Sequence, residues 1–127
     1  MDIHDTTTGS ASGAAAEHRA LSIRSSFLPH TDPEASLVFY RDVLGFEVRL
    51  DVGGGPMRWI TVGPVGQEDT AIVLHPVLEG NGLTDDEHAA LLSVIAKGAY
   101  FGGVNLAASD LDATFASLEA AGAEIVA

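Results

Sequence analysis

Two stretches of this chain echo one another: LPHTDPEASLVFYRDVLGFEV, from Leu28 to Val48, and LAASDLDATFASLEAAGAEIV, from Leu106 to Val126. Each runs strand, polar cap, helix, glycine, strand. In both, an acidic residue at the cap (Asp32, Asp110) precedes the closing glycine (Gly45, Gly122) by nearly the same distance. An apolar-Glu-apolar strand start follows (Phe46-Glu47-Val48, Ala123-Glu124-Ile125). Repetition at this scale implies a fold assembled from two related modules rather than a single irregular unit.

The residues around the first copy extend it. LSIRSSFL, from Leu21, has the alternation of a strand, and Pro29-His30-Thr31-Asp32-Pro33 then turns the chain. Asp32 is a good N-cap with Pro33 at the first helical position, and Leu37, Tyr40 and Leu44 recur at helical spacing before Gly45. Thr31 with Glu34 offers an alternative capping box one residue earlier. Phe46–Val52 alternates cleanly, Gly53-Gly54-Gly55-Pro56 reads as a hairpin turn, and strands are expected at Met57–Val62 and Thr70–His75. The module is therefore β-α-β-β-β, an α+β unit over about 21–78. A linker helix is expected over about 84–98, with Thr84 and Glu87 as a capping box and Gly98 as the stop. A partial second module follows over about 100–127.

Composition narrows the function classes. The absence of cysteine removes disulfides, thiolate catalysis and Cys-based metal sites, and fits a reducing, cytoplasmic setting. Eighteen acidic against six basic residues give a net charge of −12, so no cationic surplus exists for phosphates, which argues against nucleic acid or an anionic membrane as partner. No apolar run reaches the roughly 18 residues that a membrane-spanning helix needs. Residues 1–20 are small and polar, without the basic start and apolar run of a signal peptide, and read as a disordered tail. There is no Gly-x-Ser-x-Gly elbow, Walker loop or dinucleotide fingerprint, and no histidine pair has chelating spacing.

The segment Ser36-Leu37-Val38-Phe39-Tyr40-Arg41-Asp42-Val43-Leu44-Gly45-Phe46, with Ser109-Asp110-Leu111-Asp112-Ala113 in the second half, resembles the glyoxalase/bleomycin resistance/extradiol dioxygenase superfamily, the vicinal oxygen chelate fold. The resemblance covers 21–127. It implies paired βαβββ modules whose sheets form a cup for a ligand or a metal, with the second module here incomplete, and it implies a homodimer or module pairing. A module stopping at Ala127 leaves sheet edges unpaired. A fragment of a longer reading frame, or a half-barrel completed by another chain, is expected on that ground.

Metal-dependent relatives place His or acidic ligands on the first and last strands of each module. The resemblance puts Ser25, Val73 and Gly103 at the first three of these positions, and the fourth lies beyond the end. A hydroxyl, an isopropyl group and a hydrogen are poor ligands for a divalent ion. Neither a metal nor any other cofactor is expected, and a catalytic residue is not assigned. A divalent metal belongs only to the alternative reading, a glyoxalase-like lyase or extradiol-like dioxygenase.

Residues two apart on a strand share a face, so Phe27 joins Ser25, His75 joins Val73 and Asn105 joins Gly103 toward the cup, with Trp59 and Thr61 from the third strand. Leu28, Ile60, Val62, Ile72, Leu74, Val104 and Leu106 then face the helices. The lining is mixed aromatic and polar and suits a small organic ligand, bound in resistance-type sequestration without being transformed. Simpler readings stand beside it. His75, next to Pro76, is ordinarily a strand-end residue satisfied by water, Trp59 is equally a packing residue, and a one-residue slip turns Asn105 toward the helices. His30 reads as a turn residue, and His4, His18 and His88 as isolated.

Overall fold

The computed structural model describes residues 20–125. All but the last residue of the expected tail, with His4 and His18, lies outside them. In chain order the elements are β1 (Ser25–Pro29), α1 (Pro33–Leu37) running on into a π-helical segment (Val38–Val43), β2 (Glu47–Val52), a 3₁₀ turn (Gly55–Met57), β3 (Trp59–Gly63), β4 (Ala71–His75), α2 (Asp85–Ala96) and α3 (Leu111–Ala120). The four strands form one mixed sheet in the order β1-β4-β3-β2, with β1 parallel to β4 and the other neighbours antiparallel. This is a βαβββ module, and the fold class is α+β.

The two copies of the repeat share their local geometry. Asp32 caps α1 by accepting from the Ala35 amide at 3.1 Å, and Asp110 caps α3 by accepting from the Ala113 amide at 3.0 Å. Asp32, not Thr31, is thus the cap. Gly45 and Gly122 close the two helices with φ of 76° and 89°, a left-handed conformation that glycine adopts without penalty. The first copy is one residue longer between cap and glycine. The π-helical turn absorbs that residue, with the Leu44 amide reaching back to the Phe39 carbonyl and the Phe46 amide to the Tyr40 carbonyl, both at 2.9 Å.

Alternation along β3 and β4 decides the layering. Ile60 and Val62 are wholly buried, and with Ile72, Leu74, Leu37 and Phe46 they make the core, flanked by Leu28, Tyr40, Leu44 and Val104. Burying each such aliphatic side chain contributes roughly 2 kcal/mol. The same burial holds the Tyr40 hydroxyl above its ordinary titration range. Cross-strand partners share a face, and Thr61 pairs with Val73 and Val73 with Phe27, so these side chains are on the sheet's other face. There Trp59, Thr61, Val73 and His75 are half-buried, whereas Phe27, Leu50 and Val52 are exposed.

Three expectations are corrected. β2 does not alternate cleanly: its register shifts between Val48 and Leu50, making Arg49 a bulge. The bulge re-aims the Arg49 guanidinium, which donates to the carbonyls of Pro64, Gln67 and Thr70 at 2.8–2.9 Å and to Glu47 at 3.2 Å, stapling the β3–β4 connection. It lies so close over Gly63 that a Cβ there would come within 2.6 Å of it. Next, the segment expected as the first strand of the second module, about 100–106, and the strand start at Ala123–Ile125 are irregular. A lone strand needs a hydrogen-bonding neighbour, and the described residues form no second sheet to supply one. Val104 instead packs against the core, while Leu106 is 42% exposed.

The third concerns His30, expected only as a turn residue beside the helix cap, which is buried and has a structural role. Its Nε2 donates to the Arg58 carbonyl at 2.5 Å, and its amide donates to the His75 carbonyl at 2.8 Å, so it extends the β1–β4 pairing by one step. Arg58 is a junction. Its guanidinium binds both carboxylate oxygens of Asp51 on β2, at 2.6 and 2.8 Å, and reaches Glu34 in the first turn of α1.

Two measurements test this framework. Arg49→Met strands three carbonyls and is expected to cost about 2 kcal/mol in urea unfolding; an unchanged midpoint contradicts the staple. The hydrogen bond from Arg58 holds the Asp51 carboxyl below its ordinary value against a smaller opposing effect of burial. Its contribution is present above the unfolded-chain value of about 4 and lost as pH falls through the lower folded value. Asp51→Asn should therefore flatten the melting temperature's fall below about pH 4, and an acid limb as steep as in the unaltered chain would contradict the pairing.

Candidate functional site

Alternation places side chains on the open sheet face, but a cup also needs walls. Beyond β4 the chain leaves the sheet as Pro76-Val77-Leu78 and returns through Leu83 into α2. Two features position that helix. Thr84 and Glu87 form the reciprocal capping box, the Glu87 amide donating to the Thr84 hydroxyl at 3.2 Å and the Thr84 amide to the Glu87 carboxylate at 2.9 Å. The Thr84 amide, and to a lesser extent its hydroxyl, holds the Glu87 carboxyl below its ordinary value. His88 is not isolated as expected: its Nε2 donates to the Val77 carbonyl at 3.0 Å, clamping α2 to the segment leaving β4.

Between the sheet and α2 lies a cavity of about 490 Å³. Phe27, Trp59 and His75 line it from the sheet, Leu91 and Ile95 from α2, and Tyr100 from just beyond the helix. The aromatic groups touch one another: the His75 ring lies 5.7 Å from Trp59 at 32° and 6.1 Å from Phe27 at 62°. Such an arrangement offers ring faces and edges to a bound ring. Hydrogen-bonding groups on it are those of His75 and Asn81, the Tyr100 hydroxyl and the Trp59 indole N–H, and no Lys, Arg, Asp or Glu lines the wall. A second cavity of about 510 Å³ shares Pro76–Leu78 as a wall but is lined by His30, Met57, Glu79, His88 and Leu92 among others, without an aromatic cluster.

Of the eight residues singled out in the sequence, Phe27, Trp59 and His75 meet at this cavity. Ser25, Thr61 and Val73 share the sheet face but lie away from the cavity wall, farther along their strands. Gly103 and Asn105 fall in the irregular segment after α2 and do not line it. Sequence reasoning missed the whole far wall: Leu78, Asn81, Leu83, Leu91, Ile95 and Tyr100. The linker helix itself was expected, but nothing in a local pattern says which surface a linker helix covers.

The residues that the resemblance aligned with metal-ligand positions do not suit a metal. Ser25 and Val73 contribute a hydroxyl and an isopropyl group, and Gly103 has no side chain. Among the described residues no group of three or more His, Cys, Asp or Glu comes together to hold an ion. The donor chemistry fails the requirement for imidazole or carboxylate ligands.

A family model described as Glyoxalase/Bleomycin resistance protein/Dioxygenase superfamily matches residues 22–127. No curated protein matches the chain. Among solved structures, UcmS2 is 33% identical, with a TM-score of 0.68 over 82% of this chain and 77% of that one. TnmS3, an antibiotic binding protein from Streptomyces sp. CB03234, is 28% identical, with a TM-score of 0.58 over 83% and 74%. A member of the same superfamily from Sphaerobacter thermophilus DSM 20745 is 26% identical, with a TM-score of 0.53 over 80% and 72%.

Proposed function

The chain belongs to the glyoxalase/bleomycin resistance protein/dioxygenase superfamily, and we propose that within it the protein binds a small, neutral, ring-bearing organic molecule, without a metal and without transforming it. The observation that carries this reading is the composition of the 490 Å³ cavity: aromatic rings on the sheet side, aliphatic side chains on the helix side, and no charged wall. Apolar cavities of a few hundred Å³ with a few placed polar groups are the usual form of a small-molecule site. Resistance-type sequestration fits such a site, because capture alone needs no nucleophile, acid–base pair or Lewis acid. The similarity to TnmS3, an antibiotic binding protein, supports the same kind of role.

The chain's single tryptophan, Trp59, lines the cavity and reports on it directly. Titration with the neutral aromatic probe 1-aminoanthracene should quench its emission saturably at one site per chain. Tyr100→Ala should weaken binding about tenfold, the loss expected for one aromatic contact, with the melting temperature little changed. The probe should be recovered unaltered from the denatured complex. A linear, unsaturable quench, or a Tyr100→Ala variant that binds as tightly as the unaltered chain, would refute the assignment.

A further inference from the structure

Resting on the cavity as the ligand site, one atom on its wall sets what the ligand must offer. His75 Nδ1 lies 2.8 Å from the Pro76 carbonyl oxygen. A carbonyl only accepts, so Nδ1 carries the ring proton, and in the neutral imidazole Nε2 is left with a lone pair and no hydrogen. Nε2 makes no hydrogen bond with any described residue, and it is not an enclosed orphan either, since His30 Nδ1 is the one buried side-chain nitrogen or oxygen without a partner among them. His75 lines the cavity. An acceptor fixed by the backbone, on a ring that lines the cavity beside Trp59 and Phe27, is therefore left without a partner among the described residues.

We infer that His75 is a specificity-determining residue that selects ligands bearing a ring hydroxyl, an aromatic or enolic O–H, by accepting its hydrogen bond at Nε2. The alternatives fare worse on the same geometry. An anionic carboxylate or phosphate finds no Lys or Arg in the wall, and a chain with a net charge of −12. At Nε2 a ligand with only ether or carbonyl oxygens meets lone pair against lone pair, and its acceptors can be used only by the donors of Trp59, Asn81 or Tyr100. A ring hydroxyl keeps its ring against Trp59 and Phe27 while its O–H reaches the strand end. Sites that read a polar group discriminate more strongly than apolar pockets, because the wrong ligand leaves a desolvated polar atom unpaired.

The test is a matched pair of probes, 2-naphthol and 2-methoxynaphthalene, titrated calorimetrically into the full chain. The naphthol should bind at least tenfold more tightly. His75→Phe, which keeps a ring and removes the acceptor, should bring the two within about threefold, mainly by weakening naphthol, whereas His75→Gln, which restores an acceptor, should recover part of the preference. The ether binding as tightly as the naphthol to the unaltered chain, or a preference undiminished in His75→Phe, overturns the inference while the cavity stands as a ligand site. Failure of both probes to bind overturns the cavity reading, and the inference falls with it. The comparison in the unaltered chain needs no variant to fold.

Discussion

Everything else in this module depends on sealing one face of a four-stranded sheet. Ile60, Val62, Ile72 and Leu74 close against Leu37 and Phe46, and because strand side chains alternate, that seal determines where their neighbours go. Trp59, Thr61, Val73 and His75 are on the other face as a direct consequence. A one-residue slip of β3 or β4 would bury Trp59 and His75 and expose the aliphatic set. The site is the obverse of the core, and its placement costs no additional device. Secondary ties hold the seal in register: Arg49 pins the β3–β4 connection through three carbonyls, and Arg58 joins β2 and α1 to the start of β3.

The parts of this design that were legible in the sequence are the ones with a local cause. Asp32 and Asp110 as caps, Gly45 and Gly122 as stops, and the capping box of Thr84 and Glu87 each follow from the hydrogen-bonding needs of a helix end, which a few residues satisfy. Ile60 and Val62 as core, with Trp59 on the opposite face, followed from alternation. The illegible parts have non-local causes. Arg49 bulges because of carbonyls 15 to 21 residues away. His30 is buried because β1 runs parallel to β4 and its ring meets the Arg58 carbonyl. The far wall exists because His88 clamps α2 to Val77. Residues 100–106 are not a strand because strand formation belongs to a pair, and alternation in one segment says nothing of a partner.

The electrostatics of the module separate structure from site. The arginines Arg41, Arg49 and Arg58 are engaged with acidic side chains or carbonyls, and none lines the cavity. The acidic first turn of α2, Asp85-Asp86-Glu87, complements the helix dipole, and Glu87 completes the capping box. What remains at the cavity is ring surface, aliphatic surface and the uncharged polar groups of His75, Asn81, Tyr100 and Trp59. Such a wall suits an organic molecule held by dispersion, apolar burial and a few directed hydrogen bonds, as the proposed sequestration requires.

The claim that binding at this fold proceeds without a metal is open to one direct measurement. Elemental analysis of the purified chain, followed by the same Trp59 titration before and after exhaustive treatment with a chelator, separates the two chemistries. The account predicts well under one divalent ion per chain and an affinity for the aromatic probe unchanged by chelation. One tightly held divalent ion per chain, with binding lost on its removal and restored on its return, would contradict it.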